Sequence, residues 1–178
     1  MYIGSLIAGQ IYKLRQNMID ESIEKQYGNR LRVRVAGLCI KNEKILLVNH
    51  AKLNEENEFW SPPGGGLIYG ESVIECLHRE FLEETGLQIS VKEFQCVMEY
   101  LKSPLHAIEL FFKVTIRKGT LQTGFDPESR SKDQIIKNVE FLSLKEILKI
   151  PHSRKHNILH NLQNFQDLIT KTGYSKFP

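Results

Sequence analysis

Three glutamates near the middle of the chain, Glu80, Glu83 and Glu84, have the types and spacing of a chemical site. At i, i+3 and i+4 their carboxylates are neighbours on one helix, where they repel one another unless a positive charge lies between them. They also fall in the last turn of the helix predicted for residues 71–85, where negative charge opposes the helix macrodipole. A bound divalent cation would relieve both conflicts. An all-oxygen ligand set favours Mg²⁺ over zinc, with Mn²⁺ as a substitute.

The helical wheel of the same segment supports a binding site over a solvated charge run. The apolar residues that share one face of this helix are Val73, Ile74, Leu77 and Phe81. With Leu77 at zero and about 100° per residue, Glu84 falls at about −20° and Glu80 at about −60°. Glu83 lies further round, at about −120°. One carboxylate therefore points where the core should be, which a purely solvated face does not explain.

Two further features accompany the glutamates. Arg79 can reach Glu83 at i+4 or Glu75 at i−4, so we expect it to hold the acidic face in register. A run of three glycines, Gly64, Gly65 and Gly66, precedes the helix. Such a run predicts irregular backbone rather than regular structure, and it lets the main chain approach a ligand closely.

Residues 65–87 resemble the Nudix box, G-x5-E-x7-R-E-U-x-E-E-x-G-U, where U is a bulky apolar residue. The nine specified positions are filled by Gly65, Glu71, Arg79, Glu80, Phe81, Glu83, Glu84, Gly86 and Leu87. Phe81 is a slight departure, since this position is usually aliphatic. Trp60 and Pro63 resemble the usual approach to the box. The resemblance implies the Nudix fold over roughly residues 32–148, an α+β fold with a mixed β-sheet sandwiched between helices (an α/β/α sandwich).

The resemblance also implies metal-dependent hydrolysis of a pyrophosphate bond. Carried over by position, the metal ligands are Glu80, Glu83 and Glu84, with Gly64 as a backbone carbonyl donor. Glu80 or Glu83 would act as the general base, with Arg79 supporting them, and Glu71 would organise the loop and the start of the helix.

Other residues are expected to contact the substrate. They are Gly65, Gly66, Trp60 and Glu128. Asp126 and Glu128, in a long polar loop, are also candidates for a distant general base, although a proline-containing turn explains them equally well.

Several functions remain open within this resemblance. The stretch from His106 to Phe112 and the later Gly-Phe-Asp-Pro-Glu resemble ADP-ribose pyrophosphatase-like members, which favours a nucleoside diphosphate linked to another moiety. The alternatives are a (d)NTP pyrophosphohydrolase that removes oxidised nucleotides and a non-catalytic nucleotide-sensing module, although such modules usually have an eroded box. An enzyme acting on RNA ends would need a basic groove, and the centre of the chain is mildly acidic, so nucleic acid is not an expected partner.

The segment order predicts three parts: an N-terminal, helical extension (residues 1–30), the Nudix domain (31–150) and a C-terminal helical segment packed on the same domain (151–178). Strands are predicted at residues 31–40, 45–48, 87–100, 107–116 and 139–142, and helices at 71–85, 143–148 and 157–169. Gly86 is predicted to be the C-cap of the first helix and Ser143 the N-cap of the second. The apolar spacing within residues 1–17 is compatible with a homodimer contact, and either Met1 or Met18 is the natural start.

The remaining composition predicts a cytoplasmic protein. Three widely spaced cysteines indicate neither a disulfide framework nor a zinc site, and no signal peptide or membrane-spanning run is evident. His152, His156 and His160 are interpreted as surface residues of a C-terminal helix. Arg30, Arg32 and Arg34, which alternate with apolar residues at the first strand, face either water or phosphates.

Overall fold

The computed structural model describes residues 21, 24–25, 27–51, 57–124 and 135–177 of the 178. The helix predicted within residues 1–17 and the loop acids Asp126 and Glu128 lie outside these ranges. The described part forms nine strands: β1 (Leu31–Leu38), β2 (Ile40–Lys41), β3 (Lys44–His50), β4 (Phe59–Ser61), β5 (Gly64–Gly66), β6 (Gln88–Lys102), β7 (Leu105–Lys118), β8 (Ile136–Ser143) and β9 (Tyr174–Phe177). Its helices are α1 (Val73–Thr85), α2 (Leu144–Lys149) and α3 (Gln166–Ile169), with single 3₁₀ turns at His152–Arg154 and Asn157–Leu159.

The strands form two sheets. The first has the order β5-β1-β7-β6-β9, in which β1 runs parallel to β7 and β6 parallel to β9, while the other pairs are antiparallel. The second sheet is antiparallel and centred on β3, which pairs with β8 along its whole length and with β2 and β4. The mixed pairing confirms the predicted α+β class.

Alternating side chains on the strands fill two cores on opposite sides of the sheet layer. On β3, Leu46 and Val48 pack with α1, whereas Ile45 and Leu47 pack with α2 and the C-terminal segment. This alternation follows from the two-residue period of a strand. The strands are therefore the middle layer between helices, as the predicted α/β/α sandwich requires.

The glycine run is regular structure, so the prediction of irregular backbone there is wrong. β5 pairs antiparallel with β1, with Ala36 opposite Gly64 and Arg34 opposite Gly66. A Cβ on Gly64 would lie 2.1 Å from the carbonyl oxygen of Val35, and Gly64 has a φ of +151°. Glycine is thus required for the two strands to approach this closely, and the run forms the edge of the sheet beside α1.

Helix α1 begins two residues later than predicted because Ser72 caps it. The Ser72 hydroxyl accepts a hydrogen bond from the backbone N–H of Glu75, and the Glu75 carboxylate accepts one from the backbone N–H of Ser72. This capping box satisfies two of the otherwise unpaired N–H groups at the helix start. Gly86 ends the helix with φ of 69°, as predicted for a left-handed C-cap.

The predicted apolar stripe of α1 is wrong for one residue. Leu77 and Phe81 are fully buried, but Ile74 is 40% exposed. Cys76 is also fully buried, so the face that meets the sheet is centred closer to Cys76 and Glu80 than the apolar residues alone suggest. Ile74 lies at the margin of that face.

The C-terminal segment is less helical than predicted. Helix α2 begins at its predicted cap, Ser143, through a second capping box with Glu146. The single helix predicted for residues 157–169 is wrong: one 3₁₀ turn (Asn157–Leu159) and the four-residue α3 replace it, and β9 follows as the fifth strand of the first sheet. The apolar residues at helical spacing in this segment are buried in the core from short irregular turns. Among the described residues, no helix is long and apolar enough to span a bilayer.

Replacing Gly37 with alanine tests the close packing of α1 on β1. An added Cβ would lie 2.4 Å from Cε2 of Phe81, which is fully buried, so Gly37→Ala should destabilise the fold by about 1–3 kcal/mol through overpacking. Chemical denaturation measures the free energy of unfolding. The double variant with Phe81→Leu should lose less stability than the two single variants add up to, because leucine removes the ring atoms that clash. Strictly additive losses would contradict this packing.

Candidate active site

The carboxylates of α1 lie where the helix faces the glycine strand. Glu80 and Glu84 are buried, at 9% and 6% exposure, and the Glu83 side chain is 26% exposed. The positions predicted from the helical wheel are therefore correct for all three. They line one wall of a cleft of about 530 Å³ together with β5.

Two of these carboxylates pack directly against the backbone of β5. Glu84 Oε2 accepts a 2.8 Å hydrogen bond from the backbone N–H of Gly64. A Cβ on Gly65 would lie 2.2 Å from Oε1 of Glu80, so a larger residue there would displace that carboxylate. The glycines and the glutamates thus form one unit in which the side chains of the helix contact the main chain of the strand.

Arg79 is the cation that joins the acidic groups. Its Nη1 donates to Glu80 at 2.8 Å and to Glu83 at 3.1 Å. Its Nε and Nη2 donate to the two oxygens of Glu71 at 3.1 and 2.8 Å, a bidentate pair. Nη2 also reaches the Gly66 carbonyl at 3.3 Å. The guanidinium therefore fixes helix, loop and strand relative to one another.

Glu71 organises the loop, in agreement with its predicted role. Its carboxylate accepts the Ile68 backbone N–H at 2.8 Å as well as the Arg79 fork. The hydrogen bonds from Arg79, followed by that from the Ile68 backbone, outweigh the effect of burial and lower the pKa of Glu71 to about 2. This carboxylate is therefore ionised, and it is committed to structure.

The chemistry of the donor set fits a hard divalent cation. The carboxylates of Glu80, Glu83 and Glu84 and the carbonyl of Gly64 are all oxygen donors at one end of the cleft. Among the described residues, no three acidic, imidazole or thiol groups already enclose a metal position. Instead the Arg79 guanidinium bridges Glu80 and Glu83, so these carboxylates are balanced here by a side-chain cation.

The opposite wall of the cleft contains a buried charged group that the sequence analysis missed. Glu109 on β7 is 8% exposed and is the direct neighbour of Arg34 in the parallel β1–β7 ladder. Arg34 Nε donates to Glu109 Oε1 at 3.0 Å, and Arg34 Nη2 donates to the Gly64 carbonyl at 3.4 Å. Of the two alternatives for Arg34, the structure supports the one that faces the site. The signal for Glu109 was its strand position, two residues from the buried Ala107 and Phe111.

The surface interpretation of His156 is wrong. His156 Nε2 lies 2.6 Å from Glu109 Oε2, and its side chain is 16% exposed. Because the predicted helix is broken into turns, the His156 backbone N–H is free to bond the Trp60 carbonyl at 2.8 Å, which turns the ring into the cleft. His152 also lines the cleft, whereas His160 bonds the backbone of its own segment.

Burial alone would raise the pKa of Glu109, but His156 and Arg34 outweigh that effect and lower it to about 2. Glu109 is therefore an ionised carboxylate in the interior, held by two neighbouring donors. His50 shows the opposite case: burial, together with the charge of Arg34, lowers its pKa to about 3, so it is neutral.

The remaining predicted site residues separate into two groups. Gly65 and Gly66 line the cleft. Trp60 does not: it is 7% exposed, belongs to the hydrophobic core and donates its indole N–H to Glu58 at 2.8 Å, so the structure contradicts its substrate-binding role. Glu128 and Asp126 lie outside the described residues.

Aromatic and basic side chains also line the cleft. The guanidinium carbon of Arg32 lies 4.2 Å from the centre of the Tyr27 ring, a cation–π contact. Tyr100 and His106 line the same cleft, and His106 bonds Glu99 at 2.8 Å. Planar groups of this kind are suited to holding a base or a sugar.

The low pKa of Glu109 predicts a measurable dependence of stability on pH. The unfolded chain takes up this proton near pH 4.5 and the folded chain near pH 2, so the stability from Glu109 is complete above about pH 4.5 and is lost as the pH falls towards 2. Within that window the free energy of unfolding of the wild type should fall by up to about 1.4 kcal/mol per pH unit more than that of Glu109→Gln. Denaturation from pH 3 to 6 measures both slopes. Glu93→Gln, an exposed position on β6, should keep the wild-type slope, and an equal slope in Glu109→Gln would contradict the assignment.

Two curated relatives match most of the chain. The "8-oxo-dGTP diphosphatase" of Buchnera aphidicola subsp. Schizaphis graminum is 30% identical over 131 residues, covering 72% of this chain and 91% of the relative. The "ADP-ribose pyrophosphatase" of Methanocaldococcus jannaschii is 31% identical over 155 residues, covering 81% of this chain and 86% of the relative.

A solved structure and a family model agree with these relatives. A NUDIX hydrolase from Nitrosomonas europaea matches with a TM-score of 0.56 at 22% identity, covering 78% of this chain and 86% of that one, which supports the fold. The family model described as NUDIX domain matches residues 30–162. The chain therefore belongs to the NUDIX family, and it is a pyrophosphatase.

Proposed function

We propose that this chain is a Mg²⁺-dependent enzyme that hydrolyses the pyrophosphate bond of a nucleoside diphosphate linked to a second moiety, with ADP-ribose as the first-choice substrate. The observation that carries the proposal is one continuous cleft. It joins the oxygen donors of α1 and β5 to the aromatic and basic groups around Tyr27 and Arg32. The volume of about 530 Å³ is within the range of small-molecule sites.

The acidic end would hold the cation through Glu80, Glu83, Glu84 and the Gly64 carbonyl. A divalent cation bound there would neutralise the charge of the phosphates and lower the pKa of a coordinated water. Mg²⁺ suits these ligands, and Mn²⁺ has the same preference for oxygen.

The chain's own groups then divide the remaining work. Glu83 is more open to the cleft than Glu80, with side-chain exposures of 26% and 12%. We therefore assign Glu83 as the general base that accepts the proton of the attacking water. Arg79 holds both carboxylates in position. Gly65 and Gly66 place backbone beside the phosphates, where no side chain blocks their approach.

The mixed lining of the cleft favours a two-part substrate. A pyrophosphate at the glycine strand would leave the rings of Tyr27 and Tyr100, which line the same cleft, to contact a base or sugar attached to it. The archaeal relative named for ADP-ribose supports this choice. The bacterial relative named for 8-oxo-dGTP supports a (d)NTP pyrophosphohydrolase as the second candidate.

A substrate panel separates these candidates by their products. Cleavage of ADP-ribose yields two phosphomonoesters, which alkaline phosphatase converts to free phosphate, whereas intact ADP-ribose has no terminal phosphate to lose. Cleavage of a (d)NTP to the monophosphate yields pyrophosphate, which inorganic pyrophosphatase reports. We expect ADP-ribose or a sugar nucleotide to be hydrolysed fastest with Mg²⁺, and no hydrolysis in EDTA. A (d)NTP as the best substrate would favour the second candidate, and binding without hydrolysis would favour a sensing module.

Glu84→Gln should abolish turnover and leave the fold intact. The amide oxygen still accepts the Gly64 N–H, but the charge that attracts the cation is gone, so kcat should fall at least about 100-fold. The matched control is Glu75→Gln on the same helix, because its side chain is exposed and glutamine also completes a capping box. Retention of most activity in Glu84→Gln would refute its metal-binding role.

A further inference from the structure

The cleft contains a chain of three charged or polar side chains that the proposed chemistry leaves unused. It runs from His156 to Glu109, from Glu109 to Arg34, and from Arg34 to the carbonyl of Gly64. The distances are 2.6, 3.0 and 3.4 Å. It therefore connects the C-terminal segment to the glycine strand through the interior of the site.

The direction of these hydrogen bonds is fixed at the histidine. His156 Nδ1 accepts the backbone N–H of Ile158 at 3.1 Å. Nδ1 consequently carries no proton, so the proton is on Nε2 and is donated to Glu109. Because the His156 backbone N–H also bonds the Trp60 carbonyl, the ring is held by main-chain contacts on two sides.

Glu109 in turn holds Arg34 by only one edge of its guanidinium. The carboxylate takes Nε, and Nη2 reaches Gly64, which accounts for two of the five N–H groups. The other three have no protein partner in the part of the chain that the structure describes. The Arg34 side chain is 27% exposed and lines the cleft, so these donors are available to a ligand.

The position of Arg34 between two sets of acids explains why it must be held. Burial lowers the pKa of Arg34, but the charge of Glu109, followed by those of Glu84 and Glu80, outweighs that effect and raises it. Without Glu109, the guanidinium would be drawn towards the carboxylates of α1 and would compete with a cation there. Glu109 therefore keeps Arg34 apart from those carboxylates and turns its free edge to the cleft.

We propose that Arg34 binds a phosphate group of the substrate, and that Glu109 and His156 are positioning residues that fix its guanidinium beside the Gly64 carbonyl. This inference rests on the proposed function for the ligand, a diphosphate. A guanidinium with free N–H groups on one edge matches the oxygens of a phosphate, and the strand backbone beside it has no side chain to obstruct the approach.

The test measures ADP affinity by calorimetry, in EDTA and again with Ca²⁺. Arg34→Gln should weaken ADP binding by about tenfold or more in both buffers, as expected for the loss of charge-assisted hydrogen bonds. His156→Leu should weaken it by roughly three- to tenfold, because Glu109 loses one of its two donors. His156→Gln should retain near wild-type affinity, since its amide N–H can replace the imidazole donor.

The matched control is His160→Leu, which removes hydrogen bonds within the same segment without touching Glu109 and should leave ADP affinity unchanged. Circular dichroism and thermal unfolding verify that each variant is folded, and Arg34→Lys replaces Arg34→Gln if the latter is not. A general loosening of the segment would affect His160→Leu and His156→Leu equally, which would overturn the positioning role. Wild-type affinity in the Arg34 variant, or no ADP binding by the wild type in either buffer, would overturn the phosphate-binding role.

This test is independent of turnover. A chain that binds ADP through Arg34 but hydrolyses no substrate would refute the proposed function and leave the inference intact. If the wild type hydrolyses ADP-ribose while Arg34→Gln binds ADP normally, the proposed function stands and the inference about Arg34 is refuted.

Discussion

The structure around the cleft depends on one electrostatic constraint: several glutamate carboxylates are packed against a strand backbone, and each needs a positive charge or an N–H donor. Glu84 takes the Gly64 N–H, while Glu71, Glu80 and Glu83 share Arg79. Placing like charges this close costs free energy unless they are balanced. A guanidinium balances them partly, and a divalent cation with oxygen ligands would complete the balance. The proposed metal site therefore rests on the same arrangement of carboxylates that Arg79 and the strand backbone balance in this structure.

Strand β1 connects the glycine strand to the rest of the first sheet. Its neighbour on one side is the glycine strand, which carries the contacts to α1, and on the other side it is β7. Arg34 lies opposite Gly66 in one ladder and opposite Glu109 in the other. One position on β1 thus faces both the glycine strand and the buried acid. Gly37, three residues later, leaves room for Phe81 and so sets how closely α1 approaches the sheet.

The sequence predicted the local parts of the site because their signals are local. The C-terminal cap Gly86 and the buried carboxylate of Glu84 follow from neighbouring residues, so the end of the helix and its chemistry were predictable. The start of the helix was predicted two residues early because the Ser72 cap was missed. The Glu109–His156 pair was not predictable in this way, since its members are 47 positions apart and meet only through the sheet and the C-terminal turns.

Two other differences have the same origin in tertiary structure. The glycine run has no strand propensity of its own, and it is a strand because β1 supplies the pairing partner. The apolar residues of the C-terminal segment have helical spacing, but they are buried from short turns, and β9 then extends the sheet.

The most direct test of the proposed metal site is Mn²⁺ binding measured by electron paramagnetic resonance without nucleotide. The wild type should deplete the free Mn²⁺ signal and the triple variant Glu80→Gln, Glu83→Gln, Glu84→Gln should not, whereas equal depletion by both folded proteins would contradict the metal site.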